Sequence, residues 1–128
     1  MPASYKPDGF PSLSPYLVAD GAQRVIDFLV AALDGEPGRR FDRPDGTVMH
    51  AEVRLDDSVV MVTDAVEGYP AAPAMLHLYV PDVDAAYRRA LAAGATSVQA
   101  PAQGDDPDRR GGVLGPAGNT WWIATQVG

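Results

Sequence analysis

Tyr16-Leu17-Val18-Ala19-Asp20 and Leu78-Tyr79-Val80-Pro81-Asp82 are two copies of one short unit, an apolar strand that ends at an aspartate and turns directly into a helical pattern. The copies stand sixty-two residues apart, with Val18 on Val80, Asp20 on Asp82 and Leu29 on Leu91. A repeat of this length organises whatever lies between its copies. An Asp at the N-cap accepts hydrogen bonds from the first-turn amides, so Asp20 and Asp82 are expected to start the two helices. Gln23, three residues after Asp20, has the capping-box spacing. Ala22, Val25, Ile26, Leu29, Ala32 and Leu33 recur at three and four residues and form one apolar stripe, as do Val83, Ala86, Tyr87, Ala90 and Leu91 downstream. Gly35 and Gly94 supply the stops. Each helix has one face to bury, and a sheet is expected beneath it.

Between the helices, Pro44-Asp45-Gly46 is a turn sequence, and Asp56-Asp57 separates Met49–Leu55 from Ser58–Thr63. This predicts three strands after the first helix, beginning near Arg39. Glu67–Pro73, rich in Pro, Gly and Ala, has no periodicity and reads as a linker. A strand near Ser97, a Gly/Asp/Arg stretch from Gly104 to Gly112 that is mostly loop and leaves the third strand of this half poorly defined, and a final strand Thr120–Thr125 complete the second half. The expected fold is a single α+β domain of two β-α-β-β-β repeats, about residues 12–65 and 75–126, with a linker at about 66–74.

Alternation sorts the strands into faces. Met49, Ala51, Val53 and Leu55 form an apolar side opposite His50, Glu52 and Arg54. Leu76, Leu78 and Val80 oppose Met75, His77 and Tyr79. Helices are expected on the aliphatic sides, which leaves the mixed polar, thioether and aromatic sides for a ligand cavity.

The 128 residues suffice for one core without a staple. Ten basic against seventeen acidic residues give a net charge of −7, the wrong sign for phosphate backbones or anionic lipid. The absence of cysteine excludes thiolate chemistry and Cys-ligated zinc. Met1–Phe10 lacks the apolar core of a signal peptide, and no run reaches membrane-spanning length, so a cytoplasmic protein without nucleic-acid or membrane partners is expected. No GxSxG, P-loop or dinucleotide fingerprint occurs.

The paired units, with Val48-Met49-His50-Ala51-Glu52-Val53, Leu76-His77-Leu78-Tyr79-Val80-Pro81-Asp82-Val83-Asp84 and Gly115-Pro116-Ala117-Gly118-Asn119-Thr120-Trp121, resemble the vicinal oxygen chelate superfamily of glyoxalase, bleomycin-resistance and extradiol-dioxygenase proteins, in its PhnB-like branch. The resemblance runs from about Ser12 to Thr125. It implies one curved eight-stranded sheet around a pocket, helices outside, and a homodimer. It also implies that the enzymes' metal-ligand positions fall here on Leu13, Met61, Met75 and Trp122. Apolar carbon cannot coordinate, and thioethers suit copper(I) rather than Zn, Mn or Fe(II), so no metal cofactor is expected there.

His50, Glu52 and His77 are the one set that could still make a two-His, one-carboxylate site. The alternative is that each hydrogen-bonds a neighbouring strand, with Glu52 paired to Arg54 or to an Arg of Arg39-Arg40-Phe41. Met61, Met75, Tyr79 and Trp122 would line a slot for a flat or hydrophobic molecule, or else fill it as core. Trp121 and Ile123 read as core. Asp105–Arg110 reads as a solvated loop or as a lid with an anion-gripping Arg, and Arg88-Arg89 as an exposed helix face. The favoured function is a metal-free binding protein of bleomycin-resistance type, with His50, Glu52, Met61, Met75, His77, Tyr79 and Trp122 around a small hydrophobic or aromatic ligand. The alternatives are a glyoxalase- or dioxygenase-like enzyme using His50, Glu52 and His77, with a divalent metal or by acid–base catalysis, and an interaction domain with a closed pocket.

Overall fold

A computed structural model describes residues 5–128. Its elements are β1 (Tyr16–Ala19), α1 (Ala22–Leu33), β2 (Glu36–Asp42), β3 (Val48–Leu55), β4 (Ser58–Asp64), β5 (Met75–Tyr79), α2 (Val83–Ala92), β6 (Thr96–Gln103), β7 (Asp108–Leu114) and β8 (Thr120–Gln126), with a 3-10 turn at Pro116–Gly118. Each half is β-α-β-β-β. The strands form two four-stranded sheets, ordered β1-β4-β3-β2 and β5-β8-β7-β6, each with its first strand parallel to its last. They do not join into one continuous eight-stranded ladder, because the outer edge of β1 is taken by the linker: the Ala72 amide donates to the Val18 carbonyl.

Both sheets present aliphatic residues to the helices. Leu17, Ala51, Val53, Val60 and Val62 of the first sheet and Val113, Trp121 and Ile123 of the second belong to one core with Val25, Leu29, Ala32, Ala86 and Ala90. The two helices also pack on each other, and Phe28 of α1 reaches the Trp121 ring of β8, centroids 6.5 Å apart. Arg89, expected to be solvent-facing, crosses from α2 to donate to the Ala32 carbonyl and to approach Asp34 at 3.6 Å. The opposite faces of the two sheets look outward, away from the helices.

The repeat is real, but its spacing is sixty-one residues, not sixty-two. Ala22 and Val83 open the helices, Ala32 falls with Ala93 just past α2, and Leu29 matches buried Ala90 rather than Leu91, which is 37% exposed. Tyr16 pairs with Met61 as His77 pairs with Trp122. Asp82 caps α2 as expected, its Oδ1 accepting from the Ala85 amide. Asp20 does not cap α1. Left-handed Gly21 (φ 86°) occupies the N-cap, and the Ala22 amide donates to Asp64 Oδ1 at the end of β4. The second Asp64 oxygen accepts from the Val48 amide, tying helix, β3 and β4 together. Gln23 closes no capping box; its amide donates to Asp27.

Two further expectations change. Met49 is 47% exposed, while Val48 is buried, because the β2–β3 register shifts between Phe41 and Asp42 and the extra residue resets the alternation. Gly104–Gly112 is not all loop: β7 starts at Asp108, and Gly111 and Gly112 are paired with β8.

The cap difference is directly testable. Asp64→Ala should cost about 1–2 kcal/mol in urea unfolding, the range of a lost N-cap, whereas Asp20→Ala should stay within about 0.5 kcal/mol, as at an ordinary surface position. Equal costs would refute this assignment.

Candidate functional site

The outward face of the first sheet is built around Glu52. Its parity on β3 turns it away from the core, yet it is buried to 3% exposure. Arg39 of β2 donates two parallel hydrogen bonds to it, Nε to Oε1 at 2.9 Å and a terminal nitrogen to Oε2 at 3.0 Å. His50 Nε2 lies 2.8 Å from the same Oε2. Arg39 and His50 hold the Glu52 carboxyl below the usual carboxylate range against the opposing effect of burial, with Arg39 the larger cause. The His50 ring sits between those of Tyr16 (6.1 Å) and Phe41 (6.3 Å). Met61 lies beside Glu52 in the ladder and is half-buried. Upstream, Phe10 lies under the Arg39 and Arg54 guanidiniums, and with Pro7, Gly38 and Val59 these residues enclose a cleft of about 190 Å³ against Glu52.

The outward face of the second sheet carries a different cluster. Tyr79 donates its phenol proton to Asp108 Oδ2 at 2.6 Å, and this hydrogen bond raises the phenol pKa. Arg110 donates to Asp108, to Asp106 and, through Nε, to His77 Nε2 at 3.1 Å. The Asp108 amide and then Arg110 lower the Asp106 pKa. The Asp105–Arg110 run is thus held by its own hydrogen bonds. Arg109 turns the other way to form a two-bond pair with Asp84. The His77 and Tyr79 rings meet at 4.9 Å. Trp122, half-buried, is the ladder partner of both His77 and Gly112, and a Cβ on Gly112 would stand 2.6 Å from its ring. Glycine is what lets the indole lie on the sheet. Met75, at the start of β5, is 73% exposed.

The predicted residues therefore divide. His50, Glu52 and Met61 are neighbours on the first sheet; Met75, His77, Tyr79 and Trp122 are on the second. Leu13 precedes β1 and is 86% exposed, and Tyr16 rather than Leu13 is the β1 residue opposite Met61. Among the described residues no three His, Asp or Glu side chains converge as a metal ion needs. Glu52 pairs with an Arg of the Arg39-Arg40-Phe41 stretch, one of the partners the sequence offered. Sequence reasoning missed Tyr16, Phe41 and the contacts of Asp108 and Arg110 with Tyr79 and His77; alternation would have placed Tyr16 and Arg110, while the shifted β2–β3 register leaves open which arginine of β2 meets Glu52. A wider cleft of about 760 Å³ lies elsewhere, where the end of α1, the β3–β4 turn and the start of α2 meet; Tyr79 is its one predicted residue.

Because the folded carboxyl of Glu52 is depressed, its contribution to stability is complete above the unfolded carboxylate pKa of about 4.3 and is lost as pH falls through the lower folded value. Glu52→Gln is expected to cost on the order of 1–3 kcal/mol at pH 7, and the difference from wild type should shrink in acid. A constant difference down to pH 2 would contradict a charged Glu52.

Comparison with known proteins places these faces in context. Protein Mb0911c of Mycobacterium bovis is 39% identical over 128 aligned residues, covering 91% of this chain and 84% of that one. TioX from Micromonospora sp. ML1 has a similar structure at a TM-score of 0.78 with 24% identity, over 91% of this chain and 99% of TioX. The PhnB protein of Bacillus cereus follows at 0.71 and 18% identity, over 90% and 99%. TnmS3, an antibiotic binding protein from Streptomyces sp. CB03234, aligns at 0.68 and 18% identity, over 91% and 97%. The family signature matches residues 13–123, and the chain belongs to the Glyoxalase/Bleomycin resistance protein/Dioxygenase superfamily.

Proposed function

We propose that this chain is a metal-free small-molecule binding protein of the bleomycin-resistance type, which sequesters a hydrophobic or aromatic compound. The observation that carries this reading is the outward face of the second sheet, where Trp122 lies flat over Gly112, with its ladder partner His77 and exposed Met75 on the neighbouring strand β5. Aromatic and thioether groups left in water without a partner are a surface for a flat ligand, since an indole stacks and methionine adapts. TnmS3, with the same fold, is an antibiotic binding protein, which supports a binding role.

The ligand would be enclosed in a homodimer. Within one chain the two outward faces turn away from each other, so neither encloses a pocket alone. A twofold axis that sets the first sheet of one protomer opposite the second sheet of its partner would close two identical pockets. The enzyme reading retains only the His50–Glu52 pair, because His77 stands on the other sheet.

Three measurements test this reading. Light scattering at micromolar concentration should give twice the 13.5 kDa chain mass, and a monomer would count against the enclosed pocket. Freshly purified protein should hold well under one equivalent of Zn, Mn, Fe, Co or Ni, with a melting temperature indifferent to EDTA, because bound metal would stabilise by linkage. Stoichiometric metal lost in His50→Ala would favour the enzyme. A flat aromatic compound should raise the melting temperature, and Trp122→Ala should abolish that rise by removing a stacking surface worth on the order of 1 kcal/mol.

A further inference from the structure

Resting on the binding role just described, we infer that His50 and His77 are fixed in opposite tautomers, and that together they select a flat ligand carrying both a hydrogen-bond donor and an acceptor. The chemistry of their partners sets this. Glu52 is buried and already takes two hydrogen bonds from Arg39. A carboxylate has only lone pairs to offer, so His50 Nε2, at 2.8 Å, must be the protonated nitrogen. In the neutral ring the lone pair is then on Nδ1, between Tyr16 and Phe41. His77 is the reverse. Its Nε2 receives the Nε–H of Arg110, and a guanidinium can only donate. His77 Nε2 therefore carries the lone pair, and the proton is on Nδ1, above the face that holds Trp122.

Among the described residues neither Nδ1 has a hydrogen-bond partner. One outward face thus offers an acceptor flanked by aromatic rings, and the other a donor next to the Tyr79 ring on the face that carries the indole. The orienting groups cannot exchange roles, since Glu52 is held ionised by Arg39 and Arg110 is anchored to Asp106 and Asp108. A ligand that spans the enclosed pocket is matched when it places a hydroxyl or N–H at His50 and a carbonyl-type oxygen at His77. Hydroxylated aromatic lactones, ketones and amides form that class. Bare aromatic hydrocarbons fall outside it.

Two readouts test the inference. Nitrogen-15 NMR of the imidazoles at pH 7.5 should show the unprotonated nitrogen at Nδ1 of His50 and at Nε2 of His77; the same tautomer at both, or the reversed pair, overturns it. Calorimetric titration with four probes reads the selection: 6-hydroxycoumarin (donor and acceptor), 6-methoxycoumarin (acceptor only), 2-naphthol (donor only) and naphthalene. The first should bind about tenfold tighter than either single-function probe, the worth of one hydrogen bond left unmade in a desolvated site. His50→Phe keeps the ring contacts and should bring 6-hydroxycoumarin down to the 6-methoxycoumarin affinity while leaving the latter unchanged. His77→Phe should bring it down to that of 2-naphthol. Equal binding of all four overturns the selection and leaves the hydrophobic binding role standing, whereas no binding of any probe removes both.

Discussion

Each four-stranded sheet has one aliphatic face that must leave water, and both bury it on a pair of helices that also pack on each other. Everything at the candidate site follows from this constraint. Once the helices hold the aliphatic faces, the other faces are turned outward, and residues on one cannot meet residues on the other inside a single chain. The linker reinforces the division, since Ala72 pairs with β1 and keeps its edge from joining β5. An alternating strand code that reads as one cavity in the sequence is therefore divided between two outward faces in the fold.

Much of this was legible. Turn chemistry at Asp45 and Asp56, helical periodicity from Ala22 and Val83, and the inward stripe of Trp121 and Ile123 gave elements close to those observed. The residues that misled are instructive. Asp20 sits where a capping aspartate would sit, but the turn is made by left-handed Gly21, and the cap arrives from Asp64, forty-two residues beyond the Ala22 amide it accepts from. Anchoring the repeat on Asp20 moved it by one residue. In a β-strand a one-residue shift exchanges the two faces, and this is why Leu13 stood in for a position on the side of Tyr16. Single-residue irregularities hid the rest. The register shift between Pro37 and Arg40 leaves open which arginine of β2 meets Glu52, and Gly111-Gly112 resembles a loop while forming the strand on which Trp122 rests.

The corrected spacing shows how the two halves diverged in chemistry while keeping their geometry. Tyr16 matches His77 and Met61 matches Trp122 at that spacing, and Glu52 and Gly112 match by ladder position, as the partners of Met61 and Trp122. In the first half the position beside Met61 holds a carboxylate that orients a histidine. In the second it holds no side chain, and the space is given to an indole. His50 and Arg110 each lie two residues before these positions, and each fixes an imidazole nitrogen: His50 its own against Glu52, Arg110 that of His77. One sheet is a polar, carboxylate-backed surface and the other a stacking platform.

Charge within these faces is settled by the protein itself. Arg39 is joined to Glu52, and Arg110 to Asp106 and Asp108. An anionic ligand would have to compete with carboxylates already in bidentate or multiple contact, and the chain's net charge of −7 would oppose its approach. A cationic ligand would find Glu52 and Asp108 already claimed and nearly closed off from water. Besides the Arg54 guanidinium over Phe10, what the faces leave open is aromatic surface and two imidazole nitrogens. In the binding role proposed above, recognition would be by stacking and by the direction of two hydrogen bonds, and a neutral compound would gain from both without displacing an ion pair.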